Sequence, residues 1–419
     1  MNIFPDLVKI RQRFPRERIE NLERELLAQL QHFPFSLPAG SRVAVGVGSR
    51  GIANLQLIVA TVVGFLRSHD YSPFIVPAMG SHGGATEEGQ KAVLAGYGIT
   101  EEKVGAPIEA SMEVVELPSE GLGNRAFMGK AAYDAGATIL INRVKPHTDF
   151  RSEHESGLLK MTAIGLGKKS QAEEIHNFGV TGLKSRIVPT ALKILESGKI
   201  VLGIAVVENA YDETMILRVV RSSSFVAVEK ELLRTAREAA PSLPVEAIDL
   251  LIVDEMGKDI SGVGMDTNVI GRTRVQGESE PALPRITSIV VCDLTPASHG
   301  NAIGIGLADV ATRRLFEKID FRETYENVIT SSFYERGKIP MLASNPSDAA
   351  GMALRACGLG PQDEAAARAR VVRIHNTLRL GELFVSPAVA NELQESSRIE
   401  MLREWRPLFD DNGELTPWA

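Results

Sequence analysis

Residues 42–86 read RVAVGVGSRGIANLQLIVATVVGFLRSHDYSPFIVPAMGSHGGAT, and the change of period along them decides the fold. Residues 42–47 are an apolar run of strand length, 52–68 carry apolar side chains at helical spacing, 73–78 form a second such run, and 86–96 return to a helical pattern. Strand, helix, strand, helix of these lengths predicts parallel α/β packing, because a strand covered on both faces reads as a continuous apolar run. Outward from this core, runs at 137–141 and 200–207 extend the sheet, with helices expected over 184–196 and 225–238.

The turn-forming APSLP at 240–244 closes that series, and the pattern restarts with strand-like runs at 249–253 and 286–293 and a helix over 346–357. The expectation is an α/β protein of two domains, with parallel-rich sheets flanked by helices and an active-site cleft between the domains. Residues 1–244 would form the first domain and 245–385 the second. The stretch 386–419, charged and helical in pattern at 394–405, would be a C-terminal helix able to return to the first domain.

With 419 residues, 44% hydrophobic and 24% charged, there is material for two cores. A net charge of -7, with no basic run longer than Lys168-Lys169, argues against a nucleic-acid surface. Cys292 and Cys357 are the only cysteines, each among apolar neighbours, which excludes a Cys-built metal site and fits thiols in a reducing compartment. No window of about 18 apolar residues occurs, and the N-terminus has no long apolar stretch after its charges, so neither export nor a membrane span is expected and the cytoplasm is the default.

Chemistry concentrates between His82 and His176, where four of the eight histidines fall. Gly46-Val47-Gly48-Ser49-Arg50-Gly51 follows a strand and opens a helix, the context of a GxGxxG phosphate turn. The acid that a dinucleotide site wants at the end of the second strand is missing, so phosphate binding of another kind, a plain tight turn and NAD binding all stay open. His82, in GSHGGAT, falls at the carboxyl end of the second expected strand, the edge where open α/β sheets put ligands; helix capping is its structural alternative. His147 follows the strand ATILINR and Pro146 at the same kind of edge, with Asp149 near enough in sequence to orient an imidazole.

His154, in RSEHES, reads as part of a solvated loop. Lys160 stands inside the apolar run GLLKMTAI, where burial would favour the neutral, nucleophilic amine; a lysine snorkelling from a strand end is the alternative. GLGKKS at 165–170 fails the P-loop spacing because position 162 is Thr, so ATP binding is not supported. His176, on a helical stretch, has no HExxH partner. Either it is catalytic, or it ligates a metal whose other ligands are not protein.

A histidine in a glycine-rich turn, a later histidine, then a lysine and sixteen residues on another histidine resembles the nickel-pincer lactate racemase family of 2-hydroxyacid racemases and epimerases. The resemblance covers about residues 42–180. It implies a nickel pincer nucleotide (pyridinium-3,5-bisthiocarboxylic acid mononucleotide nickel) joined covalently to Lys160, with His176 as the protein ligand to nickel. His82 and His147 would be paired general acid/bases. Arg50 would lie near cofactor and substrate, and Gly48, Ser49, Gly83 and Gly84 would cradle the phosphate. The implied activity is an isomerase reaction, inversion of a small 2-hydroxy acid by reversible hydride transfer. Two bases are needed because the hydroxyl of each enantiomer lies on a different side.

The resemblance also implies proteins elsewhere that make the cofactor. It points to residues 257–272 as substrate-facing, with Lys258, Asp259, Asp266, Asn268 and Arg272 as candidates against the plainer reading of a turn-rich loop. The segment between His147 and Lys160 is about three residues longer and more polar than the family pattern, so the substrate-facing wall differs and lactate itself is not implied. An NAD-type oxidoreductase using GxGxxG and a non-catalytic small-molecule or cofactor-binding protein are the alternatives.

Overall fold

The computed structural model describes residues 4–33, 37–49, 51–359, 368–402 and 404–418. Two compact units emerge: Pro15–Ala240, and the N-terminal residues to Phe14 together with the chain from Pro241 onward. The first strand, β1 (Val8–Gln12), therefore opens the chain but belongs to the second unit.

In the Pro15–Ala240 unit, β2 (Arg42–Val47), β3 (Ser72–Pro77), β6 (Ala137–Arg143), β7 (Ile200–Glu208) and β8 (Thr214–Arg221) form a sheet in the order β3-β2-β6-β7-β8. All neighbours are parallel except β7 and β8. Side chains alternate across it: Val43, Val45 and Val47 join the helices Leu22–Gln31 and Leu55–Ser68, whereas Ala44 faces the helices that follow Lys160 and the helix Phe225–Ala239. The sheet is thus covered by helices on both faces. A hairpin of β4 (Val114–Leu117) and β5 (Ala126–Gly129) stands apart from it.

The antiparallel edge strand β8 could template further pairing, but Gln29 covers it: its amide donates to Leu217 O at 2.9 Å and accepts from Val219 N at 2.8 Å. Sequence reading foresaw β2, β3, β6 and β7 but neither β8 nor the hairpin. The expected helix over 184–196 forms as two pieces, Gly179–Ser185 and Ile187–Leu195.

The second unit holds β9 (Ala247–Val253), β10 (Arg285–Val291), β11 (Val310–Thr312), β12 (Met341–Ala343), β13 (Val371–Ile374), β14 (Glu382–Val385) and β15 (Ile399–Met401), in the order β12-β11-β10-β9-β13-β14-β1-β15. The helix Pro346–Ala356 forms where expected, its start capped by Asn345 accepting from Asp348 N.

The C-terminal stretch departs from expectation. Helix Pro387–Leu393 stops before Ser396, and the residues thought helical supply β15, which pairs antiparallel with β1 through Ile10↔Met401 and Gln12↔Ile399. Pairing with a strand far away in sequence overrode the local charge pattern. Among the described residues no helix is long and apolar enough to cross a membrane.

Candidate functional site

In the first sheet the chain runs from β2 to β3 on one side and returns with β6 on the other, so the carboxyl end of β2 is a topological switch point. The four parallel strands deliver their carboxyl ends to one edge. Gly48 follows β2, the His82 turn follows β3 and the His147 loop follows β6.

The His82 turn is built on glycine. Gly80 and Gly83 have φ of +60° and +66°, and a Cβ on Gly83 would come within 2.5 Å of the Gly89 carbonyl carbon. Gly84 has open space where a Cβ would stand. His82 itself is exposed. Beneath the turn, the buried Gln90 amide donates to Gly80 O at 2.9 Å and His82 O at 3.3 Å. Its oxygen accepts from Lys168 Nζ at 3.2 Å, and Lys168 also donates to Pro77 O at 2.7 Å. Gly80 N donates to Gly165 O at 3.1 Å, tying the turn to the segment that carries Lys160.

The His147 loop is closed rather than solvated. Lys145 and Ser156 exchange backbone hydrogen bonds of 3.0 and 3.3 Å across its neck. Glu155, with no exposed side-chain surface, accepts from His147 N at 2.6 Å, Ser152 N at 3.0 Å and Arg237 Nη2 at 2.6 Å. His154, expected in solvent, is buried, with Nδ1 3.7 Å from Glu229 Oε1. The loop's hydrophilic composition serves internal hydrogen bonds.

Lys160 lies on helix rather than on a strand end. It closes a short helical turn, Leu158–Lys160, that continues as a π-helical turn, Met161–Gly165, a backbone irregularity frequent at functional sites. Buried Glu229 accepts from Leu159 N at 2.9 Å at the start of this turn. Gly203 on β7 lets it pack close, since a Cβ there would fall 2.6 Å from Leu158.

The half-buried Lys160 Nζ lies against His147 Nε2, and His147 Nδ1 accepts from Asp149 N at 3.1 Å. The Asp149 carboxylate is 3.7 Å from Nδ1, so Asp149 orients the ring chiefly through its backbone N–H. The Phe150 ring packs against the imidazole with centroids 4.6 Å apart.

His176 ends the helix Lys168–His176. Water reaches this residue, yet its pKa is lowered, first by desolvation, then by the Lys160 charge, with Asp149 pulling the other way. Protein surrounds much of the ring despite the residue's accessibility, and Lys160, Asp149 and His176 share one electrostatic neighbourhood. Among the described residues, no group of three or more His, Cys, Asp or Glu side chains could hold a metal ion.

Arg50 lies outside the described residues. Gly48 stands beside Asn142 and Met161, and Ser49 O accepts from Tyr97 Oη at 3.0 Å. The glycine-rich turn does not lead straight into a helix as a dinucleotide turn would: the helix begins at Leu55, and Ala53 N just before it donates to Glu208 Oε1 at 2.6 Å. A carboxylate of the protein already takes an N–H group at the start of this helix.

The candidates in the second unit divide. Lys258 and Asp259 follow β9, the switch point of their own sheet. Lys258 Nζ donates to Gly262 O at 2.8 Å and Asn327 Oδ1 at 3.0 Å, and Asp259 accepts from Thr295 Oγ1 at 2.5 Å. Asp266 caps a short helix by accepting from Asn268 N and Asn268 Nδ2, both at 2.8 Å. Buried Arg272 donates to Leu307 O at 2.9 Å, Asp309 at 2.7 Å and Ile286 O at 3.1 Å, the geometry of an internal tie rather than a substrate contact.

Sequence reading missed Glu155, Arg237, Glu229, Gln90, Lys168 and Glu208, which hold the site from behind. The one local signal was Lys168 within a glycine-rich, otherwise apolar segment.

No family model matches this chain, and no curated protein matches it. Among solved structures it is similar to a crystal structure of a Thermotoga maritima protein, at 12% identity and a TM-score of 0.48 over 83% of this chain and 93% of that one. It is also similar to the lactate racemase apoprotein from Thermoanaerobacterium thermosaccharolyticum, at 11% identity and a TM-score of 0.48 over 89% of this chain and 98% of that one.

Proposed function

We propose that this chain binds a nickel pincer nucleotide and racemises or epimerises a small 2-hydroxy acid. One observation carries the reading: the Lys160 amine lies against His147, and His176 belongs to the same electrostatic neighbourhood. An attachment amine, an acid/base imidazole and a single metal-binding imidazole are the groups such a cofactor requires. The donor set fits, because a lone histidine suffices where the other metal ligands come with the nucleotide.

Lys160 would anchor the nucleotide, His176 would be the protein ligand to its nickel, and the turns at Gly48–Ser49 and Gly83–Gly84 would hold its phosphate. When bound, the group supplies a reversible two-electron acceptor for the Cα–H bond of the substrate. The chain's own part is proton transfer and orientation. His147 takes the substrate hydroxyl proton at Nε2, and the Asp149 carboxylate 3.7 Å from Nδ1 stabilises the imidazolium that results. His82 serves the opposite enantiomer from the other turn, where its exposure allows proton exchange with solvent. Within the second unit Lys258 and Asp259 stand at the switch point of their own sheet, whereas Asp266, Asn268 and Arg272 make internal hydrogen bonds.

The test is protein made in a host that builds the cofactor, analysed for nickel, for a mass adduct on Lys160 and for chiral conversion across a panel of 2-hydroxy acids. Expected are nickel and adduct in equal amounts, and convergence of both enantiomers of one acid on the same mixture. His82→Ala and His147→Ala should each slow conversion by about 10²–10⁴-fold. Protein from that host with neither nickel nor adduct would refute the reading. Ligand binding without turnover, unaffected by either replacement, would favour a non-catalytic binding protein.

A further inference from the structure

The hydrogen bonds around His147 fix more than the orientation of its ring. A neutral imidazole carries one proton, and the nitrogen that accepts a hydrogen bond is the one without it. Nδ1 accepts from Asp149 N, so the ring proton sits on Nε2, which faces Lys160 Nζ. An Nε2–H donor requires an acceptor opposite, and an ammonium has no lone pair to offer.

We infer that, before any cofactor is attached, His147 holds Lys160 as the free amine and so prepares it as the nucleophile for its own acylation. In the acylation step the amine lone pair forms an N–C bond at the acyl carbon. The bond from that carbon to its leaving group breaks with the electron pair on the leaving group, which also receives the proton shed by nitrogen.

The product is an amide whose nitrogen no longer offers a lone pair to Nε2–H. If the ring turns so that Nδ1 leaves Asp149 N–H for the Asp149 carboxylate, now 3.7 Å away, the proton can sit on Nδ1, which leaves Nε2 unprotonated. That is the form a base acting on substrate needs. Loading of Lys160 and release of His147 are thereby one event. This consequence rests on the reading of Lys160 as the attachment residue; the state of the unloaded amine does not.

Cofactor-free protein is the right sample. A solvated lysine of ordinary pKa is neutral in only about one molecule in 2,500 at pH 7. Brief treatment with limiting sulfosuccinimidyl acetate at neutral pH, read lysine by lysine by peptide mass spectrometry, should label Lys160 about ten-fold or more faster than exposed Lys91 and Lys169, despite its lower accessibility. His147→Phe, which keeps a ring but no nitrogen, should bring Lys160 down to or below the rate of Lys169. The second measurement needs no variant: long-range ¹H–¹⁵N correlation of the wild-type histidines should give His147 a protonated Nε2 and an unprotonated Nδ1. Labelling of Lys160 no faster than Lys169, or a proton found on Nδ1, overturns the inference. Fast labelling in a protein that never acquires nickel would leave it standing while the proposed function fell.

Discussion

On the proposed function, replacing Glu155 with alanine is expected to lower turnover about a hundredfold, and it should lower stability by about 3 kcal/mol. The carboxylate is fully buried and holds three donors: the backbone N–H of His147, that of Ser152, and the Arg237 guanidinium. Alanine leaves the two backbone donors without their acceptor, and an unmet buried donor costs about 1–3 kcal/mol. Arg237 loses least, because its side chain is 41% exposed and can turn to water. The larger consequence is positional. His147 N is the anchor from which the imidazole reaches Lys160, and a displacement of about 1 Å in a reacting group can cost about 100-fold in rate.

Two further variants separate the contributions. Glu155→Gln keeps one carbonyl-type acceptor, and with it either His147 N or Ser152 N, so it should recover part of the rate. Arg237→Ala keeps both backbone bonds and should recover most of it. Urea unfolding gives the stability, and steady-state kinetics with the best 2-hydroxy acid should place the Glu155→Ala loss in kcat more than in KM. An Glu155→Ala protein with normal kcat would mean that the loop holds its shape without the carboxylate, and that Glu155 does not position His147.

Why Glu155 escaped notice in the sequence shows what a linear reading can reach. The parallel strands β2, β3, β6 and β7 were legible because each is a continuous apolar run, and period survives without knowledge of neighbours. His82 and His147 were legible as edge residues because each follows such a run. The run around Lys160 looked apolar whether helix or strand, and only Gly203 opposite Leu158 makes the close helical packing possible.

RSEHES looked solvated because hydrophilic composition normally means exposure. Burying Glu155 depends on Arg237, more than eighty positions later, and on backbone donors that have no sequence signature. β15 was misread for a similar reason, since its identity as a strand is set by β1 at the other end of the chain. The candidates His82 and His147 follow strand ends and announce themselves; the residues that hold them are recruited from wherever the fold brings a partner.

Lys168 belongs to the second group and gives a pH-dependent result of known sign. Its side chain is buried, and desolvation, weakly opposed by Glu87, lowers its pKa from 10.5 to about 8. Below pH 8 both folded and unfolded chains carry the proton, and the folded one bears the full cost of a buried ammonium. Between about 8 and 10.5 the unfolded chain still holds a proton that the folded chain has released, so this group makes stability rise with pH, and above 10.5 its contribution is level. The rise amounts to about 3 kcal/mol.

Lys168→Met removes the titration and also the donor to Pro77 O and Gln90 Oε1, at about 1–2 kcal/mol for each acceptor left unmet. Near neutrality the relieved burial of charge and the lost hydrogen bonds offset each other, and the two proteins should unfold at similar urea concentrations. Near pH 10 the wild type should be the more stable by about 2–3 kcal/mol. The same replacement frees the Gln90 amide that holds Gly80 O and His82 O, so turnover at neutral pH should drop about ten-fold even though stability barely changes. A stability difference between wild type and Lys168→Met that stays constant from neutral pH to pH 10 would mean that the Lys168 amine keeps its proton in the folded chain, and the argument from its burial would be wrong.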